Sequence, residues 1–108
     1  MEYTVKYTRE QIFDHFMEAV DSYKNDGYQI DKSIRSNRRN TTKFGLIKDS
    51  KIITLRYVGG DDADEIRVYA SLKDCDNRRN SKTLVERYIK NSENNYKLLA
   101  IYPQSSIH

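Results

Sequence analysis

Residues 43–72, KFGLIKDSKIITLRYVGGDDADEIRVYASL, decide the fold, because they contain three runs in which apolar and polar side chains alternate. A period of two places successive side chains on opposite faces of a half-buried β-strand. Asp49-Ser50 and residues 59–64 separate the runs and are rich in turn-forming residues. Ile30 and Ile34 alternate with polar residues in the same way just before this stretch. Together they predict four antiparallel strands joined by short loops.

The segment before these strands predicts a short strand and a helix. Apolar residues alternate at the start of the chain, at Tyr3, Val5 and Tyr7. Thr8 and Gln11 have the spacing of a capping box, which begins a helix. Apolar residues then recur at helical spacing, and Gly27 stands where a C-terminal glycine belongs. We therefore expect a helix over residues 9–25.

The segment after residue 72 predicts a second helix and a last strand. Leu84, Val85, Tyr88 and Ile89 recur at helical spacing, which predicts a helix over about residues 81–91. Residues 96–102 are apolar on both faces, which is typical of a strand inside a sheet. The expected order is β-α-β-β-β-β-α-β. It predicts an α+β fold in which a single, mostly antiparallel sheet carries two helices on one face. Residues 1–103 would form one domain, with a flexible C-terminal tail at 104–108.

The composition argues against several classes of protein. The chain has 108 residues, 32% of them charged, and one cysteine, Cys75. Its longest apolar run, residues 98–102, is much shorter than the roughly 20 residues of a membrane-spanning helix. A membrane protein, a disulfide scaffold and a multidomain enzyme are therefore not expected, and a cytoplasmic location is. His15 and His108 lack partners at ligand spacing. We accordingly predict no catalytic residues, no metal site and no cofactor.

The net charge of +3 conceals strong segregation of charge along the chain. Residues 1–31 carry a net charge of −4, and residues 32–58 carry +7. Residues 59–76 again carry −4, and residues 77–108 carry +4. Charge blocks of this kind are informative about binding partners.

The expected strand register places basic side chains of residues 32–58, together with Arg67, on one face of the sheet. A turn at Asp49-Ser50 pairs Lys43 with Arg56, and a loop centred between Asp61 and Asp62 pairs Arg56 with Arg67. Tyr69 then lies one row away, opposite Thr54. If Ile34 pairs with Phe44, Arg35 joins the row. The predicted result is a basic row on one face of the sheet: Arg35, Lys43, Arg56 and Arg67.

Like charges opposite one another destabilise a sheet, so such a row calls for an explanation. The hypothesis we favour is a small non-enzymatic accessory or regulatory protein that binds nucleic acid. The basic row would contact phosphates, Tyr69 would stack on a base, and Arg38 and Arg39 would hold the backbone nearby. Two alternatives need no ligand: the row is neutralised by Asp31, Asp74 or the acidic loop, or its arginines extend into water.

The acidic loop supports a second hypothesis. Asp61, Asp62 and Asp64 would bind a charged protein partner, and the chain would be a protein-interaction module or an inhibitor. A homodimer formed through the sheet face that carries the basic row is a variant of this hypothesis. A hydrolase that uses the loop with Mg²⁺ is a third and weaker alternative. The richness in Lys, Asn, Ile and Tyr is compatible with an AT-rich genome, including phages and mobile elements.

Overall fold

The computed structural model describes residues 6–36, 41–60, 63–76, 79–92 and 95–101. These residues form a seven-stranded sheet and, within the described ranges, one helix. The elements in chain order are β1 Lys6–Tyr7, α1 Arg9–Asn25, β2 Gln29–Ser36, β3 Thr41–Lys48, β4 Lys51–Val58, β5 Glu65–Asp74, β6 Arg79–Ser92 and β7 Asn95–Ile101. The expected α+β class and antiparallel sheet are confirmed, but the expected second helix is not.

The sheet is an antiparallel meander whose strand order is β1-β7-β6-β5-β4-β3-β2. Each strand from β2 to β7 pairs with its neighbour in the chain. β1 pairs with β7 instead, with Tyr7 opposite Tyr96. β7 therefore lies inside the sheet, as its two-sided apolar pattern predicts.

α1 begins and ends where the sequence predicts. Thr8 accepts a hydrogen bond from the Gln11 backbone N–H at 3.2 Å, and the Gln11 side chain accepts one from the Thr8 N–H at 2.9 Å. This reciprocal capping box satisfies two N–H groups that the first turn leaves without helical partners. At the other end, Gly27 has a φ of +101°, a conformation that is open to glycine and strained for other residues.

The core lies between α1 and one face of the sheet. Ile12, Phe16 and Val20 of α1 are buried. The Phe16 ring lies 5.7 Å from that of Tyr57 on β4 and 6.1 Å from that of Phe44 on β3. We call this side of the sheet the helix-bearing face and the opposite side the bare face, since the described helix packs only on the first.

The β3–β4 hairpin has the predicted register. Lys43 pairs with Arg56, Phe44 with Leu55 and Leu46 with Ile53. Asp49 in the two-residue turn has a φ of +54°, the left-handed region that hairpin turns require and that Asp tolerates. A short turn leaves the register little freedom, which explains the success of this prediction.

The β4–β5 register differs from the prediction by two residues. Val58 pairs with Arg67 rather than Glu65, and Arg56 pairs with Tyr69 rather than Arg67. The loop between β4 and β5 is hydrogen-bonded to β6 and β7. The Tyr96 hydroxyl donates to the Ala63 carbonyl at 2.8 Å, and the Lys90 N–H donates to the Asp64 carbonyl at 2.8 Å. A shift of two residues changes each side chain's neighbours but not its face.

The second helix predicted over residues 81–91 is wrong, because those residues belong to β6. β6 contains a bulge: Val68 pairs with Glu86 while the next residue, Tyr69, pairs with Leu84, so Val85 has no partner in the ladder. Further register shifts occur where β6 pairs with β7. These irregularities break the period of two, and the apolar residues of β6 consequently imitate helical spacing.

Candidate nucleic-acid interface

Three strands place a basic and aromatic row on the bare face. The register sets Lys43 of β3 beside Arg56 of β4, and Arg56 beside Tyr69 of β5. Leu55 and Tyr57 flank Arg56 in β4, and both are buried in the core on the other face. Alternation therefore aims Arg56 away from the core. The row lies across the strands, and we call Lys43, Arg56 and Tyr69 the central row.

Arg56 stacks on Tyr69 instead of meeting another cation. The centre of its guanidinium lies 4.6 Å from the centroid of the Tyr69 ring, a cation–π contact. The Tyr69 hydroxyl also accepts a long hydrogen bond from Arg67 Nη1, at 3.4 Å. The expected contact between Arg56 and Arg67 is thus replaced by an aromatic ring that touches both. This arrangement removes part of the predicted repulsion and fixes the orientation of the guanidinium.

The principal counter-ion of the bare face is Glu65. Its carboxylate accepts hydrogen bonds from Arg67 Nε at 2.8 Å and from Arg87 Nε. These side-chain hydrogen bonds, from Arg67 first and then Arg87, lower the pKa of Glu65 to about 2. Arg67 and Arg87 pair directly across β5 and β6, and the carboxylate stabilises two cations that would otherwise repel each other.

One alternative to a bound ligand was that Asp31, Asp74 or the acidic loop neutralises the row. Asp74 lies in the last position of β5, is 6% exposed, and accepts the backbone N–H of Asp76. It pairs with Lys51 and Arg79, at the opposite end of β5 from Arg67. The structure therefore assigns part of the neutralisation to Glu65, which directly follows the acidic loop as the first residue of β5.

An excess of positive charge remains on the bare face. Within strands β3 to β7, the described charged side chains of this face include one carboxylate, Glu65. Alternation and cross-strand pairing identify the cationic side chains of the bare face, which are Lys43, Arg56, Arg67, Lys73, Arg87 and Lys97. Lys43 and Arg67 are exposed, and Arg56 and Arg87 are half-buried. The face can therefore offer several cations to an anionic partner.

Several predicted site residues are not brought into the central row. Arg35 pairs with Thr42 rather than Lys43, because the register shifts by one residue between Ile30 and Lys32 of β2. Arg38, Arg39, Asp61 and Asp62 lie outside the described residues. Asp64 is described and exposed, and its backbone carbonyl accepts the N–H of Lys90.

Sequence reasoning missed Glu65 and Arg87 as members of this surface. The position of Arg87 on the bare face was missed because the apolar residues of its segment recur at helical spacing. Had residues 79–92 been interpreted as a strand paired with β5, Arg87 would have been placed opposite Arg67. Glu65 and Arg67 are two residues apart on β5 and therefore share a face, which is the signal that could have placed Glu65 on this surface.

The described residues contain no grouping of three or more His, Cys, Asp or Glu side chains that could hold a metal ion. Among the same residues, no helix combines the length and the apolar character needed to traverse a membrane.

Comparison with protein-family models, with curated proteins and with solved structures finds no significant match to this chain.

Proposed function

We propose that this protein is a small non-enzymatic accessory or regulatory protein that binds nucleic acid through the bare face of its sheet. The observation that carries the proposal is the central row, in which Lys43, Arg56 and Tyr69 lie side by side on three strands. Arg67 and Arg87 border the row and supply further positive charge.

Each part of the row suits a different part of a nucleotide. Lys43 and Arg56 supply cations for phosphate oxygens, and a guanidinium can contact two oxygens of one phosphate. The stacked pair of Arg56 and Tyr69 supplies two planar groups on which an unpaired base can stack. The ion pairs at Glu65 hold Arg67 and Arg87 in place beside the row.

Phosphate contacts make binding depend strongly on salt. Each phosphate contact contributes a slope of about −0.9 for a duplex, or about −0.7 for a single strand, to log K against log salt concentration. Removing Lys43 and Arg56 together should therefore weaken binding at low salt and reduce the magnitude of that slope by about 1.4 to 1.8.

The test is fluorescence anisotropy with labelled single-stranded and double-stranded oligonucleotides at several salt concentrations. The test variant is Lys43→Ala/Arg56→Ala. The matched control is Lys24→Ala/Lys51→Ala, which removes two exposed cations away from the central row. We expect the test variant to lose at least tenfold in affinity and the control to lose much less. Equal losses in the two variants, or no binding of the unmodified protein at low salt, would overturn the proposal.

A further inference from the structure

A second candidate site lies on the opposite side of the sheet. α1 packs over β3 and β4, and a groove of about 590 Å³ opens between its first half and strands β1, β6 and β7. The described residues that line this groove include three carboxylates and neither Lys nor Arg. The side chains used below are Tyr7, Asp14, His15, Glu18, Glu86 and Tyr88.

Glu86 is the most enclosed carboxylate of the groove, with a side chain that is 12% exposed. It accepts a hydrogen bond from the Tyr88 hydroxyl, and His15 Nε2 lies 3.5 Å from its Oε2. Within the described part of the chain, no Lys or Arg forms an ion pair with it. A carboxylate so far removed from water favours a cationic partner, because hydrogen bonds from neutral donors offset only part of its desolvation.

Two tyrosines form the aromatic wall beside Glu86. The Tyr7 and Tyr88 rings meet edge to face, with centroids 5.7 Å apart. Burial, together with the hydrogen bond to the Glu86 carboxylate, raises the pKa of Tyr88. Tyr88 therefore remains a protonated donor to Glu86 over the physiological range. Aromatic rings next to a carboxylate are a favourable environment for an ammonium group.

The remaining carboxylates lie along α1, at the rim of the groove. Glu18 Oε2 is 3.9 Å from Nδ1 of His15, so the imidazole lies between Glu18 and Glu86. Asp14 precedes Glu18 by one helical turn and shares its side of α1. The described acids are not grouped closely enough to hold a metal ion. Their spread along the groove suits an elongated cation with more than one charge.

We propose that this groove binds a small aliphatic polyamine. One ammonium group contacts Glu86 next to the Tyr7 and Tyr88 rings, and a second contacts the Asp14 and Glu18 carboxylates at the rim. The site is independent of the nucleic-acid interface, because the sheet separates the two and the bare face repels the same ligand.

The test is a titration of the ¹⁵N-labelled full chain with spermidine at low ionic strength, followed by NMR and calorimetry. We expect shifts at the amides of His15, Glu86 and Tyr88 and none at Lys43, Arg56 or Tyr69. Mg²⁺ at matched charge should not reproduce the pattern. Shifts confined to the acidic loop around Asp64, an equal response to Mg²⁺, or no heat at millimolar spermidine would overturn the proposal.

Three variants locate the ligand. Glu86→Gln should weaken spermidine binding at least tenfold, with thermal unfolding as its control for folding. Glu18→Gln, at a side chain that is 79% exposed, should fold normally and weaken binding by about two- to fivefold. His15→Arg places a permanent cation between Glu18 and Glu86 and should abolish binding.

The matched control for Glu18→Gln is Asp21→Asn. It removes the same charge from an exposed position of α1 outside the groove and should leave affinity unchanged. Equal losses in Glu18→Gln and Asp21→Asn would contradict a specific site.

Discussion

The two faces of the sheet are built from the same strands but are held together by different forces. On the helix-bearing face, β4 contributes Ile53, Leu55 and Tyr57, all buried. On the bare face, it contributes Thr54 and Arg56, which are half-buried and polar. The first face depends on apolar burial and ring contacts, and the second on ion pairs and a cation–π contact. Since the first kind of interaction is stronger in water, we expect stability to depend mainly on one face and recognition on the other.

The largest loss of stability is expected when a large core side chain is removed from the helix-bearing face. Phe16 is 1% exposed and touches rings on both β3 and β4. Phe16→Ala should reduce the free energy of unfolding by about 3–5 kcal/mol, because it leaves a cavity between helix and sheet. Urea denaturation followed by circular dichroism measures this change. A loss below about 1 kcal/mol would mean that α1 contributes little to the fold.

A smaller effect on the same face is expected at Gly59, where the backbone lies close to a core side chain. A Cβ atom built on Gly59 would lie 2.8 Å from Cγ1 of Ile66, a fully buried side chain. Gly59→Ala should therefore force the loop or Ile66 to move, at a cost of about 1–3 kcal/mol. Thermal unfolding measures the loss, and Thr54→Ala on the bare face is the control of similar size. Unchanged stability in Gly59→Ala would show that the loop yields easily.

On the bare face, the largest effect on stability should come from Glu65. Glu65→Gln removes the carboxylate shared by Arg67 and Arg87 and should cost about 1 kcal/mol or less at neutral pH. The folded-state pKa of Glu65 lies below its ordinary value, so its contribution is present above about pH 4.5 and is lost as the pH falls towards about 2.

The corresponding measurement is urea denaturation of both proteins between pH 7 and pH 2. The stability difference between the unmodified protein and Glu65→Gln should shrink over the acidic part of this range. A difference that is independent of pH would show that the carboxylate charge is not its cause.

The smallest effect on stability is expected at Lys43. Its side chain is exposed on the bare face, so Lys43→Ala should change the free energy of unfolding by less than about 0.5 kcal/mol. Oligonucleotide affinity should nonetheless fall, which separates recognition from stability in one residue. Chemical denaturation and anisotropy on the same sample measure both quantities. A large loss of stability would instead assign Lys43 a structural role.

Sequence reasoning succeeded where local interactions determine the structure. The capping box of α1 and the two-residue turn after β3 involve neighbours in the chain, and both were predicted correctly. The β4–β5 register failed because hydrogen bonds from β6 and β7 hold the loop between those strands. β6 was mistaken for a helix because its bulge disrupts alternation. The candidate interface inherited these errors: Lys43 and Arg56 were paired correctly, whereas Arg56 was paired with Arg67 instead of Tyr69, and Arg87 was missed.

The pairing of β1 with β7 has a consequence for the order in which the protein assembles. Each strand from β3 to β7 can pair with the strand made just before it, so this part of the sheet can grow as the chain leaves the ribosome. β1 is synthesised first among the described strands, yet its described partner, β7, is the last of them to be made. The side of the groove that carries Tyr7 can therefore be completed only after β7 has emerged. Until then, the amino-terminal strand has no described neighbour with which to pair.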